Sequence, residues 1–221
     1  MIEYLNDVDA TALLAVNDLH DVFQDAFWWA VSAKWSSLLL MLGLVWVLLH
    51  KNRWHALLML AMLALAVILA DQLSSGLIKH LVERLRPTHD PTLESAVHVI
   101  NGYRGGLYGF VSSHAANFSA VALLVSLVMQ QRLVTLAMFT WTLLQCYSRI
   151  YLGVHFPGDI VGGLVVGLFV GWLVWSLMRW IQYRWHMAAA HYTRSDSIVM
   201  ASALAITLIT LLATALFQCL L

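Results

Sequence analysis

Long apolar runs constrain the fold of this chain more than any other feature. Residues 197–220, for example, contain no charged side chain. Across all 221 residues, 61% are hydrophobic and only 11% are charged, whereas soluble domains average about 25% charged residues. A water-soluble fold of this size could not bury so much apolar surface. We therefore expect an all-α integral membrane protein.

Charge and cysteine content exclude several kinds of partner. Lys+Arg and Asp+Glu both number 12, so no net charge attracts the chain to nucleic acid. Cys146 and Cys219 lie in apolar runs without the spacing of metal ligands, so we predict neither a disulfide framework nor a zinc site.

Six apolar segments predict six transmembrane helices. They cover roughly 28–49, 56–80, 114–130, 133–150, 158–179 and 197–220. Several approach the ~20 residues that a bilayer requires, and Trp28, Trp29 and Trp35 anchor the first segment at an interface. The polar segment 83–111 is expected to be an extracytoplasmic loop. No repeat or soluble linker divides the chain, so residues 1–221 are predicted to form a single membrane-embedded domain.

Residues 1–27 are too polar to cross a bilayer, yet they carry an apolar stripe. The stripe recurs at three- and four-residue steps and consists of Leu5, Val8, Ala12, Val16, Leu19, Phe23 and Phe27. Such spacing is typical of one face of a helix. It predicts an amphipathic helix that lies along the membrane interface, or alternatively a helix that packs on the other spans.

The fifth apolar segment carries Gly163, Gly167 and Gly171 at four-residue steps. Small residues at this spacing let two helices approach closely. The pattern indicates close packing within the chain or, alternatively, the seam of a homo-oligomer.

The distribution of basic residues predicts the orientation. The loops after the first, third and fifth spans contain Lys51, Arg53, Arg132, Arg179, Arg184 and Arg194. The positive-inside rule places these loops in the cytoplasm. The 83–111 segment and the loop near 150–158 then face outward. Because the compact size is typical of a bacterial protein, we expect the plasma (inner) membrane, with the outward face toward the periplasm.

Three polar clusters lie at the outward ends of the predicted spans. They are Lys79 with Arg86-Pro87, then Ser112-Ser113-His114, and then Ser148-Arg149 with His155 and Asp159. Three cations can neutralise a phosphoryl group and the charge that builds up in its transition state. Arginine forks pair with phosphate oxygens, and the N–H groups at a helix start favour anions. The clusters therefore predict a phosphate site.

The spacing of His155 and Asp159 indicates how the phosphate could be attacked. Four residues apart, they share one face of a helical turn. Asp159 could bond one ring nitrogen and leave the other to face phosphorus, which makes His155 a nucleophile or a base. A second histidine, His114, can protonate the leaving oxygen.

The three clusters resemble the signature of the type-2 phosphatidic acid phosphatase superfamily, membrane lipid phosphatases related to vanadium haloperoxidases. That signature reads Lys-x6-Arg-Pro, Pro-Ser-Gly-His and Ser-Arg-x5-His-x3-Asp. The first and third parts match fully. In the second, Val111 replaces proline and Ser113 replaces glycine. The family uses the backbone amide at that glycine, and Ser113 keeps an amide while its side chain narrows the pocket or changes substrate preference.

The resemblance implies a role for each matching residue, in an enzyme that needs neither metal nor cofactor. His155 would form a phosphohistidine, Asp159 would orient it, and His114 would act as general acid and later activate water. The residues that would hold the phosphate are Lys79, Arg86, Ser112, Ser113 and Arg149. Ser148 belongs to the motif as a possible supporting residue.

Other polar residues lie outside the matching positions. Asp71, Ser75 and Lys79 form a stripe at four-residue steps along the second span. A charged residue within a span needs a partner, so Asp71 either makes structural hydrogen bonds or positions Lys79. Arg84 and Arg104 are expected to form loop ion pairs or to contact lipid headgroups.

We therefore expect an enzyme that hydrolyses a phosphomonoester or terminal diphosphate of a lipid at the outer face of the membrane. The resemblance suggests undecaprenyl diphosphate, phosphatidylglycerol phosphate, phosphatidic acid or a lipid A phosphate, and the compact size favours undecaprenyl diphosphate or lipid A. One alternative is a phosphotransferase that uses the same histidine. A second is a non-catalytic lipid-phosphate binder or transporter.

Overall fold

The computed structural model describes residues 2–220, so Met1 and Leu221 lie outside the described residues. Within that range the chain forms helices and loops, and it contains no β-strand. The helices are α1 (Ile2–Asn17), α2 (Val22–Ser32), α3 (Leu38–Leu49), α4 (Arg53–Asp71), α5 (Lys79–Val82), α6 (Ser113–Met129), α7 (Arg132–Tyr151), α8 (Pro157–Arg184) and α9 (Arg194–Cys219). A π-helical turn, Gln72–Ile78, joins α4 to α5. The prediction of an all-α fold is confirmed.

Three helices in the described range are long and apolar enough to cross a membrane. They are Arg53–Val82, Pro157–Arg184 and Arg194–Cys219, and they agree with the second, fifth and sixth predicted spans. The apolar helices α3 and α6 are shorter. The helix α7 coincides with the predicted fourth span at 133–150.

The prediction of one continuous helix over 28–49 is wrong, because α2 ends at Ser32 and α3 begins only at Leu38. Side chains of α7 satisfy polar groups in this break. Gln145 Nε2 donates to the carbonyl oxygen of Val31 at 2.7 Å and to Ser36 Oγ at 3.2 Å. Non-helical backbone is tolerated at membrane depth where protein buries it and supplies hydrogen-bond partners.

The helices α2 and α3 together run antiparallel to α9. At one end Val22 and Gln218 line the same cavity. Further along, Gly43 packs against Ala203. At the other end the ammonium of Lys51 lies 2.8 Å from Asp196 Oδ2. Residues 22–27, predicted as part of the interfacial helix, instead continue the first apolar segment.

The helix α1 docks on the bundle mainly through residues outside the predicted apolar stripe, although Val16 of the stripe also packs on the bundle. Leu5, Val8 and Leu19 of the stripe are exposed. Leu13 is fully buried, and Asn17 Nδ2 donates to two carbonyl oxygens, one in the 83–111 loop and one at the end of α7, at 3.0 and 2.8 Å. The prediction of an N-terminal helix is confirmed, but the helix ends at residue 17 rather than 27.

The glycines of α8 bring it against α6. A side-chain carbon at Gly167 would overlap the carbonyl oxygen of Ala116 and the hydroxyl of Ser119. At Gly171 the same carbon would lie 2.7 Å from the carbonyl oxygen of Ala120. The structure thus uses the glycine stripe for close packing within the chain.

The two ends of the bundle carry different groups. At one end His55 Nε2 lies 2.8 Å from the Tyr192 hydroxyl, close to the Lys51–Asp196 pair. The opposite end gathers the last turns of α5 and α7 and the first turns of α6 and α8. That end brings the three predicted clusters together.

We predict that Gly167→Ala lowers the midpoint of thermal unfolding in detergent, because the added methyl group forces α6 and α8 apart. Overpacking of this kind costs about 1–3 kcal/mol. The control is Gly106→Ala, since a carbon added at Gly106 meets nothing within 4 Å. Equal midpoints for the two variants would contradict the prediction.

Candidate active site

His155 and Asp159 lie at the centre of the site. Phe156 caps the start of α8, so His155 stands just before the helix and Asp159 lies in its first turn. His155 Nδ1 is 3.2 Å from Asp159 Oδ2, and the N–H of Phe156 donates to the same oxygen at 3.1 Å. Both side chains are buried, with exposed fractions of 1% and 0%. The carboxylate therefore fixes the imidazole ring.

The guanidinium of Arg86 faces the other ring nitrogen. Arg86 Nη1 lies 3.0 Å from His155 Nε2 and donates to the carbonyl oxygen of Val154 at 3.0 Å. Arginine can only donate hydrogen bonds. Nε2 must therefore be the acceptor, which leaves the proton on Nδ1, where it faces Asp159. This tautomer presents a nitrogen lone pair to the site.

The surroundings also keep His155 neutral. Burial of the ring lowers its pKa well below the usual value, and the charges of Arg86, Arg149 and Lys79 lower that pKa further. Burial and nearby positive charge both disfavour an imidazolium. The ring is thus held in the neutral form, with a free lone pair on Nε2, that a nucleophile requires.

Arg149 reaches the site from the last turn of α7. Its guanidinium donates to the hydroxyl of Ser32 and, at 2.8 Å, to the hydroxyl of Tyr103. Among the described residues, Nε of Arg149 is buried and has no hydrogen-bond partner. A buried donor without a partner is costly. An anionic oxygen would satisfy it.

The start of α6 forms another side of the site. The Ser112 side chain caps the helix by accepting from the N–H of Ala115 at 3.4 Å, and the Ser112 N–H donates to the carbonyl oxygen of Asp159 at 2.9 Å. The ammonium of Lys79 lies 3.5 Å from Ser113 Oγ. This places a positive charge beside a helix N-terminus, where N–H groups favour anions.

His114 lies on the first turn of α6 and is partly buried. Its ring centroid is 6.4 Å from that of Phe118. His114 follows Ser112 and Ser113 at the same helix start, where the Ser112 N–H donates to the carbonyl oxygen of Asp159.

Two residues that the sequence associated with the site make contacts elsewhere. The Ser148 hydroxyl donates to the carbonyl oxygen of Gln145 at 2.7 Å, a bond within α7. Asp71 Oδ1 accepts from the Ser75 hydroxyl at 3.2 Å, while Lys79 extends toward Ser113. For Asp71 these contacts favour the structural alternative.

Arg84 forms an ion pair, as expected, but its partners belong to the site. Arg84 Nη1 lies 3.1 Å from Asp159 Oδ1 and 2.8 Å from Asp9 Oδ2. The guanidinium also stacks 4.0 Å over the ring of Phe156. Arg104, in contrast, makes the expected exposed loop pair, at 3.5 Å from Glu94.

Sequence reasoning missed Asp9, Ser32 and Tyr103. Each belongs to a segment far along the chain from its partner, and none stands at a motif spacing. Their placement depends on how α1, the end of α2 and the 83–111 loop pack on the bundle. A spacing pattern within one segment carries no signal for such contacts.

Two glycines let the 83–111 loop approach the buried charges. A side-chain carbon at Gly109 would lie 2.7 Å from Asp159 Oδ2. Gly105 has a φ of +70°, which favours glycine, and a carbon there would lie 3.0 Å from Arg86 Nη1. At these two positions the loop backbone itself lies close to Asp159 and Arg86, where a side chain would not fit.

Comparisons with known proteins identify the family of this chain. The model of the PAP2 superfamily matches residues 54–183. A lipid A 4'-phosphatase of Porphyromonas gingivalis is 35% identical over 185 residues, which cover 83% of this chain and 78% of that protein. A lipid A 4'-phosphatase of Bacteroides thetaiotaomicron is 36% identical over 179 residues and 80% of each chain.

A solved structure shares the fold. The crystal structure of a PAP2-type phosphatidylglycerolphosphate phosphatase from Bacillus subtilis superposes with a TM-score of 0.60. The match covers 80% of this chain and 88% of that one, at 23% sequence identity. At this identity the likeness supports the fold alone.

We predict that Tyr103→Phe weakens the binding of orthovanadate, a phosphate-shaped oxyanion. The variant loses the hydroxyl that holds Arg149, while its ring can still pack against Trp29. Hydrogen bonds to charged groups contribute about 1.5–3 kcal/mol, so we expect Kd to rise at least about tenfold. Titration calorimetry in detergent measures this change. A similar rise in Tyr147→Phe, an α7 tyrosine packed on Trp28, would contradict the prediction.

Proposed function

The chain belongs to the PAP2 superfamily, and we propose that it is a membrane lipid phosphatase that removes a phosphate from lipid A. The proposal for the chemistry rests on one observation. His155 presents an unprotonated Nε2 toward Arg86 while Asp159 fixes Nδ1. A buried, neutral and oriented imidazole of this kind is suited to nucleophilic attack on phosphorus.

In the first proposed step, the lone pair of His155 Nε2 forms a bond to phosphorus. The bond between phosphorus and the lipid oxygen breaks, and His114 donates a proton to that oxygen. The dephosphorylated lipid leaves, and a phosphohistidine remains. During this step Asp159 stabilises the positive charge that develops on the ring.

In the second proposed step, His114 takes a proton from a water molecule whose oxygen attacks phosphorus. The bond between Nε2 and phosphorus breaks, and inorganic phosphate is released. His155 thereby recovers its neutral form, with the proton still on Nδ1.

The phosphate would be held by the cations of the site. An oxygen of the phosphoryl group would replace His155 Nε2 as the acceptor of Arg86, and another would accept from the buried Nε of Arg149. Lys79 and the amide of Ser113 would complete the contacts at the start of α6. These three positive charges supply the neutralisation that other phosphatases obtain from metal ions, so we propose a metal-independent reaction.

Lipid A is favoured as the substrate for two reasons. Curated relatives that are 35% and 36% identical to this chain are lipid A 4'-phosphatases. In addition, Leu77 and Leu81 are exposed apolar residues near Lys79, so a lipid can keep its tails in the bilayer beside the site.

We also propose six membrane spans, formed by α2 with α3, by α4 with α5, and by α6, α7, α8 and α9. The basic loops would face the cytoplasm, and the site would face the periplasm at the inner membrane. The helix α1 would lie at the outer interface, with its Leu5 and Val8 toward lipid, as would Leu19 just after the helix.

The proposed function is tested by phosphate release from purified protein in detergent with EDTA present. We expect release from lipid A, and His155→Ala should reduce the rate more than about 10³-fold because it removes the nucleophile. The control is His191→Ala, which changes an exposed histidine at the other end of the bundle.

Parallel assays use undecaprenyl diphosphate, phosphatidic acid and phosphatidylglycerol phosphate. If phosphate is released faster from one of these lipids than from lipid A, that lipid becomes the proposed substrate. Loss of phosphate from the lipid without free phosphate would indicate a phosphotransferase. Activity that EDTA abolishes and only a divalent ion restores would contradict the metal-independent mechanism.

The lowered pKa of His155 predicts the acid side of the pH profile. A lowered pKa keeps the ring neutral at pH values below its usual pKa of about 6.5. Activity that depends on neutral His155 should therefore persist below pH 6.5 and fall only at more acid pH. The measurement is kcat/KM against pH, corrected for ionisation of the substrate phosphate. If the corrected kcat/KM falls toward acid pH with a midpoint above pH 6.5, the result would count against His155 as nucleophile.

A further inference from the structure

We infer that Asp9 of α1 is a positioning residue for the phosphatase reaction, acting through Arg84 and Asp159 on His155. The inference rests on the proposed role of His155 as nucleophile. Asp9 lies outside residues 54–183, the part of the chain that the superfamily model matches. The N-terminal helix would thus contribute to the site a group that the family signature does not contain.

The carboxylate of Asp9 binds two groups next to the nucleophile. Its Oδ2 lies 2.8 Å from Arg84 Nη1. Its Oδ1 accepts from the N–H of Gly158 at 2.7 Å. Gly158 precedes Asp159 in the first turn of α8, so one carboxylate holds both the arginine and the backbone beside Asp159.

The close approach of α1 to α8 requires a glycine at position 158. A side-chain carbon on Gly158 would lie only 2.7 Å from Asp9 Oδ2. The side chain of Asp9 is itself only 12% exposed. The carboxylate of Asp9 therefore lies directly against the backbone of the first turn of α8.

Arg84 shares a single nitrogen between two carboxylates. Nη1 contacts both Asp9 Oδ2 and Asp159 Oδ1. Asp159 also accepts from His155, so Arg84 and the imidazole compete for the same buried carboxylate. By sharing the guanidinium charge, Asp9 leaves Asp159 a stronger acceptor for the Nδ1 proton.

A purely structural role for Asp9 is a weaker explanation, because other residues already dock α1. Leu13 is fully buried, and Asn17 makes two hydrogen bonds to the bundle. Neither contact depends on Asp9. Loss of the Asp9 charge should therefore leave the helix in place while changing the support of His155.

The first experiment compares Asp9→Asn with Asp7→Asn in the full-length protein, using release of phosphate from lipid A. Asparagine keeps an oxygen that can accept from Gly158 but loses the ion pair to Arg84. Asp7 is exposed on the same helix, so its variant removes an equal charge.

For Asp9→Asn we expect kcat to fall about tenfold with KM within about twofold, since the cations that hold phosphate are unchanged. The unfolding midpoint should equal that of Asp7→Asn, and Asp9→Glu should recover part of the rate. Equal kcat for the two asparagine variants, or a drop in kcat explained by a lower midpoint, overturns the inference.

A double-mutant cycle tests whether Asp9 acts through Arg84. In an Arg84→Gln background, Asp9→Asn should change kcat less than about twofold, because the connection to Asp159 is already lost. Additive effects would mean that Asp9 acts by another route and would overturn the inference.

The failure of this inference is distinguishable from the failure of the proposed function. If His155→Ala is inactive and Asp9→Asn matches Asp7→Asn, only the role of Asp9 is wrong. If His155→Ala retains full activity, the proposed mechanism fails and the inference about Asp9 fails with it.

Discussion

The buried carboxylate of Asp159 is the group on which the rest of the site depends. An unpaired charge in the interior costs several kcal/mol, so the fold must bring donors to it. It obtains them from the His155 ring, from the N–H of Phe156 and from Arg84. The carboxylate also requires glycine at position 109, because the loop backbone passes so close to Asp159 Oδ2 that a side chain would not fit.

The arginines of the site differ in the charge of their partners, and this difference separates their roles. Arg86 donates to the carbonyl oxygens of Val154 and Tyr108, and Arg149 donates to the hydroxyls of Ser32 and Tyr103. These partners are neutral, so both positive charges remain available to a phosphate. Arg84 is paired with two carboxylates, so it can support the histidine but has little charge to offer the substrate.

The sequence predicted those parts of the site that depend on local spacing. His155 and Asp159 are one helical turn apart, and their contact follows from that spacing. Asp9, Ser32 and Tyr103 could not be found in the same way, because each meets its partner only through packing of distant segments. The first span shows the same limit, since hydropathy alone gives no reason for a helix to stop at Ser32.

The end of α2 at Ser32 is explained by α7, which carries hydrogen-bonding side chains at four-residue steps. Trp141 donates to the hydroxyl of Ser37, and Gln145 donates to Ser36. One turn further, Arg149 donates to Ser32, the last residue of α2. The same stripe therefore stabilises the break in the first span and holds a cation of the site. Contacts with α7 therefore determine the shape of this segment, which hydropathy alone predicts as a simple membrane anchor. Its break places the Ser32 hydroxyl beside Arg149, the arginine proposed to bind phosphate, as a neutral partner.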